Sequence, residues 1–184
     1  MDLSLIARVE GPNLILRLIE SEDADYVQNL RTDPTYNRHL SEVRGTVEDQ
    51  RRWIEEYKAR ETEGREFYYV IERKDGTRCG LVRLYDIGAE SFTWGSWILD
   101  ANKSRKAALE SAMLSFGVGF DCLNLSEGFV DVRIDNTKAL AFYFRLGMKE
   151  LRRDQQDVYF VYSHDVFEKD QNEFLRVVEQ EARA

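Results

Sequence analysis

Asn136 and Tyr143 stand seven residues apart, which is two helical turns, at the exit of a strand-like run and within the helix that follows it. Ala139 falls between them on the same expected face, leaving a shallow strip with a carboxamide at one end and a phenol at the other. A tyrosine of ordinary pKa, about 10, stays protonated at neutral pH and can give up a proton to a departing anion. Packing explains either residue alone, since an asparagine at a strand exit can cap a helix and a tyrosine can sit on an amphipathic one. It does not explain the two together. Phe142 and Leu146 are expected to point to the core.

A second junction carries charge. Residues 101–108 read "ANKSRKAA", leading from a strand that ends near Asp100 into a helix. Unpaired N–H groups at a helix start suit an anion, small residues such as Ala107 and Ala108 let a ligand approach the backbone, and Lys103, Arg105 and Lys106 add cations suited to phosphate. A solvated basic loop is the plainer explanation of that stretch taken by itself.

The elements that must position these residues follow from periodicity and turn chemistry. Strands are expected over residues 13–19, 65–73, 78–88, 90–100, 127–133, 148–154 and 156–163, with a turn at 74–77. Helices are expected over 21–31, 46–61 with Thr46 as cap, 104–124, 137–147 and 164–184. The order is strand, helices, a three-strand meander, helix, strand, helix, two strands and a terminal helix. It predicts an α/β fold with a mixed central sheet, antiparallel pairs at both ends and crossover helices near the middle.

The chain has 184 residues, 43% hydrophobic and 33% charged, the balance of one soluble domain. We read a single domain over 1–184, with a core at about 13–163 and a C-terminal helical extension at 164–184. No run approaches the roughly 18 apolar residues of a membrane span, and "MDLSLIARVEG" lacks the features of a secretory signal. A cytoplasmic protein with no membrane partner is expected. The net charge of −8 argues against nucleic acid as a partner. Cys79 and Cys122 read as reduced packing residues, and His39 and His164 lack metal-site spacing, so no metal is expected.

The run from Asn136 to Met148, N-x-x-A-x-x-F-Y-x-x-x-G-M, resembles a signature of the GNAT superfamily of N-acetyltransferases. The element order from about Asn13 to Ser163 is similar to that fold, and "GSWI" at 95–98 is similar to the branch that includes ribosomal-protein N-terminal acetyltransferases. The resemblance implies acetyl-CoA as co-substrate, lying where the strand of Trp97, Ile98 and Leu99 splays from the strand of residues 127–133. The backbone of Trp97 to Leu99 would bond the pantetheine arm like an added strand. Lys103, Ser104, Arg105, Lys106, Ala107 and Ala108 would wrap the pyrophosphate. Asn136, with Ala139 and Phe142 on its helix, would contact the pantetheine arm, and Tyr143 would protonate the leaving thiolate.

Two positions depart from that pattern. Lys106 stands where the loop usually has its first glycine, and Thr93 stands where related enzymes often carry a glutamate as general base. Asp131 and Glu90 are the nearest carboxylates to replace it, with Asp131 placed by its strand toward the gap as base or substrate ligand. The loop at 32–42 is where such a fold builds its acceptor wall, so Tyr36, Arg38, His39 and Glu42 are candidates for the substrate amine. A nucleotide-linked amino sugar suits an arginine with aromatics. A protein N-terminus, or a non-catalytic acyl-CoA-binding module, are the alternatives. Phe167, Phe174 and Val178 form an apolar stripe on the last helix, which must dock on the chain's own core or on a second subunit of a homodimer.

Overall fold

The computed structural model describes residues 4–40 and 43–182, with side chains described to Glu179. A short helix α1 (Ser4–Ala7) leads into β1 (Arg8–Glu10) and β2 (Leu14–Leu18). After a single 3₁₀ turn come α2 (Ala24–Thr32) and α3 (Val47–Thr62), then the meander β3 (Phe67–Arg73), β4 (Arg78–Tyr85) and β5 (Ser91–Leu99). The second half runs α4 (Ala107–Gly117), β6 (Glu127–Arg133), α5 (Thr137–Arg145), β7 (Lys149–Arg153), β8 (Asp157–Ser163) and α6 (His164–Ala182). The eight strands form one sheet in the order β1-β2-β3-β4-β5-β6-β8-β7, antiparallel except where β5 meets β6.

Both faces are covered. Ile19, Val27, Ile54, Tyr57, Val70 and Leu81 build the core under α2 and α3. Phe92, Trp94, Phe116, Phe120, Phe160 and Phe167 belong to the core on the opposite face. The expected fold class is the observed one. Helix α3 starts on a capping box: the Thr46 hydroxyl accepts from Asp49 N at 3.2 Å, and the Asp49 carboxylate accepts from Thr46 N at 2.8 Å.

Two features were not anticipated and one expectation needs correction. The N-terminal residues, to which no element was assigned, supply α1 and β1. The helix read as continuous over 104–124 is α4 followed by a wide π turn at Val118–Cys122. Gly119 lies in that turn because a Cβ there would come within 2.3 Å of the Phe92 ring. The third concerns β5. Phe92 and Trp94 share a core face, but the next residues on that face are Trp97 and Leu99, while Ile98 turns to the other. A register shift between Leu81 and Arg83 and a left-handed φ of 49° at Ser96 mark a β-bulge. The stripe of α6 is docked on the chain itself: Phe167 and Val178 are fully buried, and Phe174 packs on the same core as Phe167.

Candidate active site

The bulge re-aims β5 at the point where it leaves its neighbour. Strands β5 and β6 pair only through Ser91–Thr93 against Glu127–Phe129. Beyond Thr93 they part, and a cavity of about 390 Å³ opens between them, walled by Trp94 to Trp97 and Leu99 on one side and Val130 to Val132 on the other. Such a gap leaves strand backbone without a ladder partner, and unpaired strand N–H and C=O groups are ready to hydrogen-bond an extended ligand.

Helix α5 closes one end of the cavity. Asn136 caps it, its Oδ1 accepting from Ala139 N at 3.2 Å, and Asn136, Ala139, Phe142 and Tyr143 all line the cavity. The cap uses the carbonyl oxygen and leaves the amide NH₂ as donor. Phe142 is half-buried: it packs against the edge of the core, lines the cavity and stacks on Trp97 at 5.3 Å. Leu146 is in the core as expected. The Tyr143 ring is packed edge-on to Trp94 at 6.1 Å and tilted against Phe160 at 5.8 Å. Burial first, and the Asp131 charge second, push its hydroxyl pKa well above the ordinary value.

The tryptophans are held from α4. Trp94 Nε1 donates to Ser115 Oγ at 2.8 Å and Trp97 Nε1 to Ser111 Oγ at 3.1 Å, so two buried serines one turn apart satisfy both indole N–H groups. Asp131, on β6, lines the cavity and also a smaller one on the α2–α3 side of the sheet. Desolvation by the surrounding protein, and then repulsion from Asp157, raise its carboxyl pKa. Thr93 lies in the paired part of β5 and Glu90 on an exposed turn whose backbone oxygen caps Ser126 and Glu127, so Asp131 is the carboxylate of the three positions that reaches the cavity.

The turn between β5 and α4 is braced from the first helices. Asp100 accepts from Tyr26 Oη at 2.8 Å and from Asn102 N at 2.7 Å, and Tyr36 Oη accepts from Ala101 N at 3.1 Å. Lys103 and Arg105 are exposed and Lys106 and Ser104 half-buried; Ala107 is buried, and of this loop Ala108 reaches the cavity wall. The Ser104 Oγ is buried with no hydrogen-bond partner among the described residues, an acceptor-seeking hydroxyl in a cationic turn. Lys106 is the N-cap of α4 at φ −103°, and its side chain makes no cap bond. That backbone needs no glycine, so the lysine fits the turn without strain.

The expected acceptor residues divide. Tyr36 and His39 line the main cavity, and His39 Nδ1 lies 3.2 Å from Asp135 Oδ1. Arg38 does not belong to the cavity wall: it is 74% exposed and lies 3.7 Å from Asp135. Glu42 lies outside the described residues. Leu40, Ser96, Lys138 and Arg145 complete the wall and were not anticipated; the slip in the Phe92, Trp94, Trp97, Leu99 pattern was the available sign of Ser96. Among the described residues no three His, Cys, Asp or Glu side chains group as metal ligands, and no helix is long and apolar enough to cross a membrane.

Comparison with known proteins agrees with this geometry. Residues 13–149 match the acetyltransferase (GNAT) domain family. A solved structure described as FdhC, a nucleotide-linked sugar GNAT, is 32% identical with a TM-score of 0.85, covering 92% of this chain and 97% of that one. A spermidine N-acetyltransferase from Vibrio cholerae in complex with CoA and spermine is 20% identical, TM-score 0.72, covering 84% and 97%. A putative ribosomal-protein-serine acetyltransferase, also from Vibrio cholerae, is 16% identical, TM-score 0.69, covering 85% and 97%. The last two share the fold. No curated protein matches the chain.

Proposed function

This chain belongs to the GNAT family of acetyltransferases, and from that premise we propose that it moves the acetyl group of acetyl-CoA to the primary amine of a nucleotide-linked amino sugar by direct attack. The parting of β5 and β6, with Asn136, Asp131 and Tyr143 around one cavity, is the observation that carries the reaction. The acceptor class is supported by the 32% identity to a nucleotide-linked sugar GNAT.

Acetyl-CoA supplies an activated thioester. The residues present suit it: a ladder edge freed beyond Thr93, a donor NH₂ on Asn136, and an unsatisfied Ser104 hydroxyl among Lys103, Arg105 and Lys106 at the start of α4. Asp131 takes the proton of the attacking amine, a role for which a raised carboxyl pKa is fitting. Tyr143, kept protonated by burial, gives its proton to the departing sulfur. Tyr36 and His39 hold the acceptor beside Asp131.

Acetyl-CoA consumption should be followed with nucleotide-linked amino sugars, free amino sugars, polyamines and peptide N-termini, with mass spectrometry of each product. Acetylation of the nucleotide-linked amines in preference to the others is the expected result. Preference for a polyamine or a peptide would overturn the acceptor, and no consumption with any amine would overturn the enzyme reading of these residues.

A further inference from the structure

We propose that the cavity on the α2–α3 face of the sheet, distinct from the gap between β5 and β6, is the seat of the acceptor's nucleoside diphosphate. The inference rests on the acceptor reading above and adds a site to it. This second cavity holds about 440 Å³, and Arg31, Arg44, Arg83, Trp53 and Tyr68 are in its wall. Three guanidiniums thus stand around one hollow in a chain of net charge −8. The carboxylate in the same wall, Asp49, is already committed to Thr46 N at 2.8 Å and to Arg52 at 2.5 Å.

Arg83 is held in place. Buried Glu66 accepts from Arg83 Nε at 2.8 Å and also pairs with Arg60, so the Arg83 guanidinium is oriented before any ligand arrives. It lies over the rings of Tyr85 at 4.9 Å and Trp53 at 5.3 Å. Trp53 is in turn stacked on buried Tyr57 at 5.7 Å. The wall therefore offers guanidiniums, which match phosphate, with Arg83 fixed among them, beside a rigid aromatic surface, which matches a base.

Tyr68 adds a buried phenol to this wall. It is 1% exposed, lines this cavity and sits beside the Arg31 guanidinium. The cavity is also correctly connected. Arg31, Tyr85 and Ser96 wall both this hollow and the smaller one that contains Asp131, and Ser96 also walls the acetyl-transfer gap. An acceptor whose amine meets Asp131 can thus extend along Ser96 and Tyr85 into the arginines. A polycationic acceptor would meet repulsion there. Arg38, the arginine first expected to hold a phosphate, lies outside all of these walls.

The test uses the full chain. Calorimetry with uridine diphosphate and with thymidine diphosphate is run in saturating CoA, which blocks the other place a nucleotide could bind. Binding of at least one of them is expected. R44E, at an exposed position, should weaken it at least about tenfold, the loss of one charge-assisted contact, and R44K should recover most of it, with CoA affinity within about twofold throughout. No binding in saturating CoA, or binding that R44E leaves unchanged, overturns the site. If nucleotide-linked amines are acetylated but the diphosphates do not bind, the site falls and the acceptor reading stands. If the diphosphates bind through Arg44 but no amine is acetylated, the acceptor reading falls and the site stands.

Discussion

The indole of Trp97 and the ring of Phe142 stack at 5.3 Å and 28°, one on the strand that parts from β6 and the other on the helix that faces it. Each is half-buried and each lines the cavity, so the stack ties the β5 wall to the helix that closes its end. The Trp97 N–H is spent on Ser111 at 3.1 Å, which fixes the ring's orientation. Trp97→Phe should keep the stack and lose the hydrogen bond, at a cost of about 1 kcal/mol in denaturant unfolding. Trp97→Ala should cost about 3 kcal/mol and weaken acetyl-CoA binding as the β5 wall loses its tie to that helix. Equal CoA affinity in the two variants would show that the stack does not shape the gap.

Tyr143→Phe removes one hydroxyl and keeps a packed ring. Turnover should fall about 10²-fold or more, with acetyl-CoA affinity nearly unchanged. Because burial raises the Tyr143 pKa, the wild-type rate should show no fall attributable to loss of this proton below about pH 10. Turnover of the variant within twofold of wild type would return Tyr143 to a packing role.

The Asp131 carboxyl has the opposite linkage to a salt-bridged acid. Its folded pKa lies above the unfolded value near 3.9, so its contribution is most favourable below that value and is lost as pH rises through the folded pKa. Asp131→Asn should therefore stabilise the protein at pH 7, by less than about 1 kcal/mol because the side chain is open to solvent, and leave it unchanged near pH 3. Urea titrations at the two pH values check the sign. Activity should fall at least about tenfold if Asp131 is the base.

Much of the fold was legible because its signals are local. The cap at Thr46, the meander and the strip from Asn136 to Tyr143 each lie within one element or a run of neighbouring ones. What was not legible depends on tertiary placement. Arg31 and Arg83 are 52 positions apart and share a cavity only because α2 packs across the meander; no periodicity connects them. Arg38 carries the same chemistry as Arg31, and its loop position puts it in solvent. The bulge at Ser96 lay in plain view as a one-residue slip of the Phe92, Trp94, Trp97, Leu99 alternation, yet a non-glycine residue at φ 49° is not what strand propensity anticipates.

On the proposed reading acetyl-CoA would bring its phosphates to a turn whose cations Lys103 and Arg105 are exposed. Its affinity should weaken severalfold as ionic strength rises, because exposed charges are screened. Ser104→Ala should weaken it by about three- to tenfold, since the buried hydroxyl would lose its role as phosphate donor. Calorimetry at two salt concentrations checks both. Affinity independent of salt would place the phosphates elsewhere.

The last helix tests where the fold ends. Phe167 is fully buried, at 5.1 Å from Phe120 and 6.0 Å from Tyr162, and Val178 is buried about three turns further on. Asn13 also reaches across, its Nδ2 donating to Val178 O at 3.4 Å and to Glu110 at 3.0 Å, so α6 is tied to the start of the sheet as well as to α4. An element whose apolar stripe is consumed inside its own chain is part of the core. Phe167→Ala should cost about 3–5 kcal/mol, which is a large share of the roughly 5–15 kcal/mol that holds a domain folded. Removing the chain from Glu168 onward should therefore give insoluble or unfolded protein, with loss of the cooperative transition in circular dichroism. A soluble, folded and active truncated chain would instead mean that α6 adds little to the core, and would reopen its use as a surface for a second subunit.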